Sequence, residues 1–187
     1  PRGDTAVLLT TFFLTVFIDL TVAIEIGMVL AVFLFMRNMI KFTDVNILTN
    51  DDTDREQGRD KDAISNYAVP KEVEVFEING PLFFGAAYKF KDAIRFIKKP
   101  PKVFIIRMRY VPIIDATGIR TLKEIHKESK NRGTKLILSE VHSKQVMDEL
   151  SAARLLFAAG KANVTDTFEQ ALLRSDVVIN DGRVSRE

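Results

Sequence analysis

The chain has 187 residues and a nearly balanced charge, with 27 Lys and Arg against 25 Asp and Glu and no cysteine. This length suits one domain of ordinary size plus a smaller element, and the charge gives no reason to expect nucleic acid, since no Lys/Arg stripe is interleaved with aromatic residues. Without cysteine there is no disulfide framework or thiolate site, and two isolated histidines, His126 and His142, make no metal cluster.

The first part of the chain has the composition of a membrane segment. Residues 5–36 contain only two charges, Asp19 and Glu25, and no basic start or cleavage site marks a signal peptide. About 20 residues cross a bilayer core of roughly 30 Å, so this stretch is too long for one straight helix. It predicts a helical hairpin made of Thr5–Ile18 and Leu20–Met36. Because the chain opens without an initiator methionine, we expect it to be a fragment.

The charges in and after this hairpin predict its environment. The first helix reaches only about 21 Å at a rise of about 1.5 Å per residue, so we expect it to end inside protein. A carboxylate is costly against lipid, so Asp19 and Glu25 are expected either to face other helices or water or to lie at a helix end at the interface. The interface is favoured for Asp19, and both alternatives stay open for Glu25. Arg37 and Lys41 follow the second helix, which places the rest of the chain in the cytoplasm.

Four regions follow from these patterns. Residues 1–42 form the hairpin, and residues 43–68 form a flexible acidic linker, whose centre reads DDTDREQGRDKD without apolar periodicity. Residues 69–180 form a compact α/β domain, and residues 181–187 form a tail.

The domain opens with an alternating strand. Glu72–Ile78 alternates and then meets Asn79-Gly80, a strong hairpin signal, so Leu82–Phe84 is predicted as the returning strand. Phe83 and Phe84 fit either the core or an exposed interface. Apolar residues at helical spacing then predict a helix from Ala86 to Ile97, which ends before Lys98 and the two prolines that follow.

Strands and helices alternate through the rest of the domain. Val103–Ile106 is apolar on both faces and predicts a central strand, and Ile119–Arg132 predicts an amphipathic helix that ends at Gly133. Lys135–Leu138 predicts the next strand. Ser143 is predicted to cap the following helix, and Asp166 with Glu169 the last one. The pattern predicts a mixed sheet of four or five strands with packed helices.

The turn Asp115-Ala116-Thr117-Gly118, between the central strand and its helix, is the main candidate site. Its simplest interpretation is that Asp115 pairs with Arg107 or Arg109, or accepts backbone N–H groups. The alternative is a switch in which a hydroxyl of this turn is phosphorylated, and Thr117 is the residue that supplies one. Thr117 also suits a plain helix cap.

We find no pattern of an enzyme in the sequence. No Ser/His/Asp arrangement, glycine-rich phosphate loop or paired carboxylates are recognisable, so we expect no catalytic residue, cofactor or metal. His126 fits a structural role beside an apolar stripe. A nucleotide site would depend only on Arg107, Arg109 and the helix start at Gly118.

Two stretches resemble a known family. Val75–Ala87 (VFEINGPLFFGAA) and Val103–Leu122 (VFIIRMRYVPIIDATGIRTL) resemble the cytoplasmic STAS domain of SulP-type anion transporters. Leu14–Phe35 is similar to the last two membrane helices of that family. The resemblance covers nearly the whole chain in the family's order.

This resemblance implies the C-terminal part of a secondary transporter for inorganic anions such as sulfate or bicarbonate. It implies a multi-pass protein of the inner membrane with 14 membrane helices in the family as a whole, whose substrate site lies on helices that precede this chain. The implied partners are lipid, the remaining transmembrane domain, a second copy in a homodimer and a cytoplasmic protein docked on the STAS domain.

The alternative function is a phosphorylation-controlled interaction domain. The turn Asp115–Gly118 matches the position where related anti-sigma-factor antagonists have Asp-Ser-Ser-Gly, whose first serine is phosphorylated. Ala116 departs from that motif. An apolar stretch of this length is expected in a transporter and serves no purpose in a soluble antagonist.

Overall fold

The computed structural model of the protein describes residues 2–41, 44–48, 67–95 and 100–184. It divides the chain into two compact units, Pro1–Phe42 and Thr43–Glu187. The first unit contains two helices, and the second contains one mixed sheet with its helices.

The first unit is the predicted helical hairpin. Helix α1 spans Arg2–Phe17 and α2 spans Leu20–Lys41, so α1 begins before its predicted start and α2 continues past its predicted end. They turn at Ile18 and Asp19, where the Asp19 carboxylate accepts the backbone N–H of Thr21 at 2.6 Å. A carboxylate at this place satisfies a free donor of the first turn of α2.

Small residues let the two helices approach closely. Ala23 and Gly27, four residues apart on α2, are buried although most of the hairpin surface is exposed. A Cβ at Gly27 would lie 2.2 Å from Cγ2 of Thr11. The Thr11 hydroxyl donates to the Val7 carbonyl at 2.9 Å, which satisfies it within α1. The pair of small residues is the spacing that membrane helices use for close packing.

The outer surface of the hairpin is apolar. Leu20–Asn38 is long and apolar enough to cross a membrane, whereas the apolar part of α1, Gly3–Phe17, is shorter. Large apolar side chains are exposed on both helices, including Leu8, Phe12, Phe13, Val16, Met28, Val32, Phe33 and Phe35. Such a surface needs lipid or further apolar helices around it.

The second unit is built on a five-stranded sheet in the order β1-β2-β3-β4-β5. Its strands are β1 Asp44–Leu48, β2 Val73–Asn79, β3 Val103–Tyr110, β4 Lys135–Ser139 and β5 Val164–Thr165. β1 pairs antiparallel with β2, and the other neighbours are parallel. The predicted mixed sheet with packed helices is therefore confirmed.

Helices cover both faces of this sheet. They are α3 Phe84–Arg95, α4 Ala116–Asn131, α5 Lys144–Ala152, α6 Leu155–Ala159 and α7 Phe168–Val184. Residues from α3 to α6 pack with Phe76 and Ile106 on one face, and α7 packs with Val75 and Ile105 on the other. β3 lies between β2 and β4, so the prediction of a central strand covered on both sides is confirmed.

The prediction of a β-hairpin at Asn79-Gly80 is wrong. β2 already has β1 on one side and β3 on the other, so no position remains for a returning strand. The chain instead follows the end of β3, with hydrogen bonds from the Gly80 N–H to Tyr110 at 3.1 Å and from the Leu82 N–H to Ile113 at 3.0 Å. Leu82 forms an isolated bridge, and α3 begins at Phe84.

The predicted linker also needs a correction. Residues 44–48, at its start, form β1, the antiparallel edge of the sheet. The remaining centre of that linker, residues 49–66, lies outside the described residues. At the other end, α7 continues to Val184, past the predicted domain end at residue 180. The prediction missed β1 because a five-residue strand next to a charged stretch gives little periodic signal.

Helix caps follow the sequence in most places. Ser143 caps α5 as predicted, and Gly133, at a φ of +73°, follows the end of α4. The last helix differs, because Thr167 rather than Asp166 accepts a backbone N–H, from Gln170 at 3.3 Å. The Gln170 side chain accepts the Asp166 N–H at 3.2 Å, so the cap uses Thr167 and Gln170, each one residue later than predicted.

Gly27→Val should separate the two helices of the first unit, because its branched side chain meets Thr11 where even a Cβ has no room. Spin labels at Leu9→Cys and Phe33→Cys, both exposed in a chain without cysteine, measure the separation in detergent micelles. The mean distance between the two labels should increase, and the distribution of distances should broaden. The exposed neighbour Met28→Val is the matched control and should leave the distance unchanged, whereas an unchanged distance in Gly27→Val contradicts the close packing.

Candidate docking site at the Asp115–Gly118 turn

The turn connects the end of β3 to the start of α4, at the carboxyl end of the parallel strands. Val111 and Ile114 are buried, and Ile114 forms the parallel bridge to Leu82. The loop before α3 and the loop before α4 therefore run side by side at this edge of the sheet. Ligand and partner sites in parallel sheets commonly occur at such edges.

Asp115 is the N-cap of α4. Its Oδ1 accepts the Gly118 N–H at 2.7 Å, and its backbone is extended. Of the two interpretations offered by the sequence, an ion pair or a backbone acceptor, the structure shows the backbone acceptor. A carboxylate here also lies at the positive end of the helix dipole. Thr117, considered as a cap from the sequence, lies inside the first turn instead.

Gly118 allows α4 to touch the neighbouring loop. A Cβ at this buried position would lie 2.4 Å from the Leu82 carbonyl oxygen and 2.7 Å from Cγ1 of Ile114. The first of these atoms belongs to the backbone and has little room to shift. The turn thus requires a glycine at residue 118 because α4 and the Leu82 backbone lie too close together for a side chain.

The start of helix α5 holds the residues just before the turn by hydrogen bonds. The Gln145 side chain accepts the Ile114 N–H at 3.0 Å and donates to the Ile114 carbonyl at 2.9 Å. The Ser143 hydroxyl donates to the Pro112 carbonyl at 2.6 Å. Gln145 was not predicted, since an amide on a polar helix face carries no signal of its distant partner.

The turn presents a small, mostly apolar tip. Ala116 is exposed and Thr117 is half-buried. Ile113 and Tyr110, just before the turn, are also exposed. Because the backbone is held on both sides, this tip forms a preformed surface with no hydroxyl at residue 116.

Arg107 and Arg109 pair with other carboxylates, so the ion-pair alternative for Asp115 is not the one that the structure shows. Nη2 of Arg107 lies 3.0 Å from Oε1 of Glu140, and Nε of Arg109 lies 2.6 Å from Oε1 of Glu77. Both arginines are on the sheet face that α7 covers, whereas the turn passes to α4 on the other face. Alternation along β3 therefore decides their partners.

The Arg107–Glu140 pair is fully enclosed. Arg107 is 0% and Glu140 6% exposed, and the guanidinium lies over the ring of Phe168 at 4.4 Å. Glu140 has a φ of +59°, an uncommon conformation for a residue with a side chain. Removing one partner of such a pair leaves a buried charge, so its role is structural. No sequence pattern indicated Glu140 or Glu77 as the partners of these arginines.

Other candidate residues are distributed elsewhere. Asp19 and Glu25 are exposed on the hairpin, and Phe83 is half-buried. His126 is half-buried on α4, where burial and the nearby Lys130 and Lys135 hold its pKa below the ordinary value. In the described ranges, no group of three or more His, Asp or Glu residues is arranged to hold a metal ion.

Comparisons with known proteins agree with this fold. A family model described as the STAS domain matches residues 66–171. The chain is 27% identical over 170 residues to the "Putative sulfate transporter YvdB" of Bacillus subtilis (strain 168), covering 90% of this chain and 30% of that protein. The chain thus spans 30% of the length of this curated relative.

Solved structures give the same result. A sulfate transporter family protein from Wolinella succinogenes is 42% identical with a TM-score of 0.62, covering 65% of this chain and 99% of that one. The SulP transporter STAS domain from Vibrio cholerae is 33% identical with a TM-score of 0.54, and the match covers 61% of this chain and 88% of that one. Murine Solute Carrier 26 family member A9, an anion transporter, shares the fold at 17% identity and a TM-score of 0.71. The match covers 95% of this chain and 29% of that one.

Gly118→Ala should destabilise the second unit by about 1–3 kcal/mol, because the added methyl group overpacks the Leu82 carbonyl. Urea unfolding in detergent, followed by tyrosine fluorescence, measures this unit alone, since all three tyrosines lie in it and the chain has no tryptophan. Ala116→Ser, at the exposed position two residues earlier, is the control and should unfold like the parent. Equal stability of both variants would show that the contact is not tight.

Proposed function

We propose that this chain, which belongs to the SulP-type sulfate transporter family and carries its STAS domain, is the C-terminal part of a secondary active transporter of an inorganic anion. The sulfate and bicarbonate class of anions is the substrate class that we propose. The observation that carries this function is the order of the two units, an apolar helical hairpin followed by a STAS domain. A hairpin with so much exposed apolar surface suits a place among other membrane helices.

In this proposal the STAS domain regulates, assembles or docks the transporter. The turn Asp115–Gly118 supports docking because the Asp115 carboxylate is already used as the N-cap and Gln145 holds the backbone of the preceding Ile114. What it offers outward is a fixed shape around Ala116, which suits a protein partner in the cytoplasm better than chemistry. Membrane lipid and the remaining transmembrane helices are the partners proposed for the hairpin, and a homodimer is proposed for the whole transporter.

The alternative, a phosphorylation-controlled antagonist, has less support. Its switch needs a hydroxyl at the first position after the aspartate, where Ala116 has none. Thr117 is half-buried within the first turn of α4, so a phosphate there would have to displace packed neighbours. The alternative also leaves the apolar hairpin without a purpose.

Anion uptake by the full-length transporter tests the proposal. Proteoliposomes holding that transporter should take up radiolabelled sulfate or bicarbonate above protein-free vesicles. Asp115→Lys should lower the amount of assembled protein, and uptake with it, because it removes the N-cap and places a cation at the positive helix end, an effect of about 1 kcal/mol or more. Ala116→Ser is the matched control and should transport normally. Absence of uptake for inorganic anions and dicarboxylates would contradict the proposed activity.

The side of the membrane is a separate prediction. Arg37 and Lys41 follow the apolar part of α2, so the STAS domain should lie in the cytoplasm. Protease added to sealed right-side-out vesicles should leave the domain intact, as detected with an antibody against α7, until detergent opens the membrane. Digestion in the sealed vesicles would reverse the proposed orientation.

A further inference from the structure

Helix α4 carries a compact basic face. Arg120, Lys123, Lys127 and Lys130 recur at intervals of three and four residues and are all exposed, whereas Ile119, Leu122 and Ile125 face the core. At about 1.5 Å per residue, the four cations extend over about 15 Å along one side of the helix. We call these four residues the α4 basic face. The helix thus has an apolar side fixed in the domain and a cationic side that points outward.

Of the two acidic residues of α4, both half-buried, Glu124 lies at the edge of this face. Glu124 is engaged by Nζ of Lys91 at 2.6 Å, and this hydrogen bond is the main cause that lowers the pKa of Glu124. Its second contact, 3.3 Å from Nε of Arg120, is on the edge of the face. Within the described ranges, the ion pairs do not include Lys123, Lys127 or Lys130.

We propose that the α4 basic face binds the anionic phospholipid surface of the membrane that holds the hairpin. Clusters of four or more Lys and Arg on an amphipathic helix are attracted to anionic headgroups. Chain connectivity favours this occupant over a soluble one, since α2 ends at Lys41 and β1 begins at Asp44, which tethers the domain to the membrane span. The inference depends on the membrane location in the proposed function.

The binding is electrostatic and has no apolar insertion. The apolar side chains of α4 are buried in the domain, so none is free to enter the bilayer. Attraction of this kind falls off within a Debye length, about 10 Å at 0.1 M salt and about 3 Å at 1 M. Each cation near an anionic surface changes the ratio of docked to undocked domain by about fivefold. Added salt and the removal of these charges should therefore both strongly weaken docking of the domain on the membrane.

A fluorophore on α4 tests the proposal in the complete chain. Because the chain has no cysteine, Asn131→Cys places a single exposed label at the end of the basic face. The chain is reconstituted into phosphatidylcholine vesicles with or without phosphatidylglycerol, and with a quencher on the lipid headgroups. Quenching should rise when phosphatidylglycerol is present and fall back at about 1 M salt. A label at Ala152→Cys on α5 should show neither change.

Matched charge variants separate this face from net charge. Replacing the four residues of the α4 basic face by Gln should abolish the rise in quenching. The control replaces four exposed cations outside α4 by Gln, which lowers the net charge equally and should keep the rise; these are Lys71, Lys144, Arg154 and Lys161. Tyrosine fluorescence checks that both variants are folded.

The outcomes are distinct from those of the transport test. No rise in quenching for the parent chain, or equal loss in both quadruple variants, overturns the proposal and leaves the face to an acidic protein or to solubility alone. The vesicles report docking without any anion flux, so a transporter that takes up sulfate while its label stays unquenched refutes this inference and preserves the proposed function.

Discussion

The contact between Gly118 and the carbonyl oxygen of Leu82 is the constraint on which the candidate site depends. It sets the distance between two loops that leave neighbouring parallel strands, and only a residue without a side chain allows that distance. The Asp115 cap and the Gln145 amide then satisfy the polar groups that this packing exposes. Shape and hydrogen bonding are therefore settled before any partner arrives, which lowers the entropy cost of binding.

Charge in this domain is divided between two environments. The sheet face under α7 ends in a row of polar side chains in register, Glu77, Arg107, Ser139 and Thr165, where the buried arginine is matched by Glu140. Buried pairs of this kind specify an arrangement more than they stabilise it. The cations of α4 are instead exposed to solvent. The same residue types thus serve the interior on one side of the sheet and the surface on the other.

The sequence predicted those features that depend on local patterns. Apolar runs identified the hairpin and the central strand β3, and Ser143 and Gly133 marked helix ends correctly. It failed where a distant segment decides the outcome. Asn79-Gly80 is a turn signal in any chain, but β1 had already occupied the edge of β2 that a hairpin would use. One of the two interpretations of the turn paired these arginines with Asp115, whereas side-chain alternation directs them to Glu140 and Glu77.

β1 gives the domain a boundary that differs from its family match. The STAS match starts at residue 66, yet the strand that covers the outer edge of β2 lies at residues 44–48. A fragment cut at the family boundary would leave the backbone donors and acceptors of β2 open along one side, an invitation to intermolecular strand pairing. During synthesis the same strand emerges well before its neighbour and waits for β2 to be made. The antiparallel edge of the sheet thus depends on residues that a domain definition by homology omits.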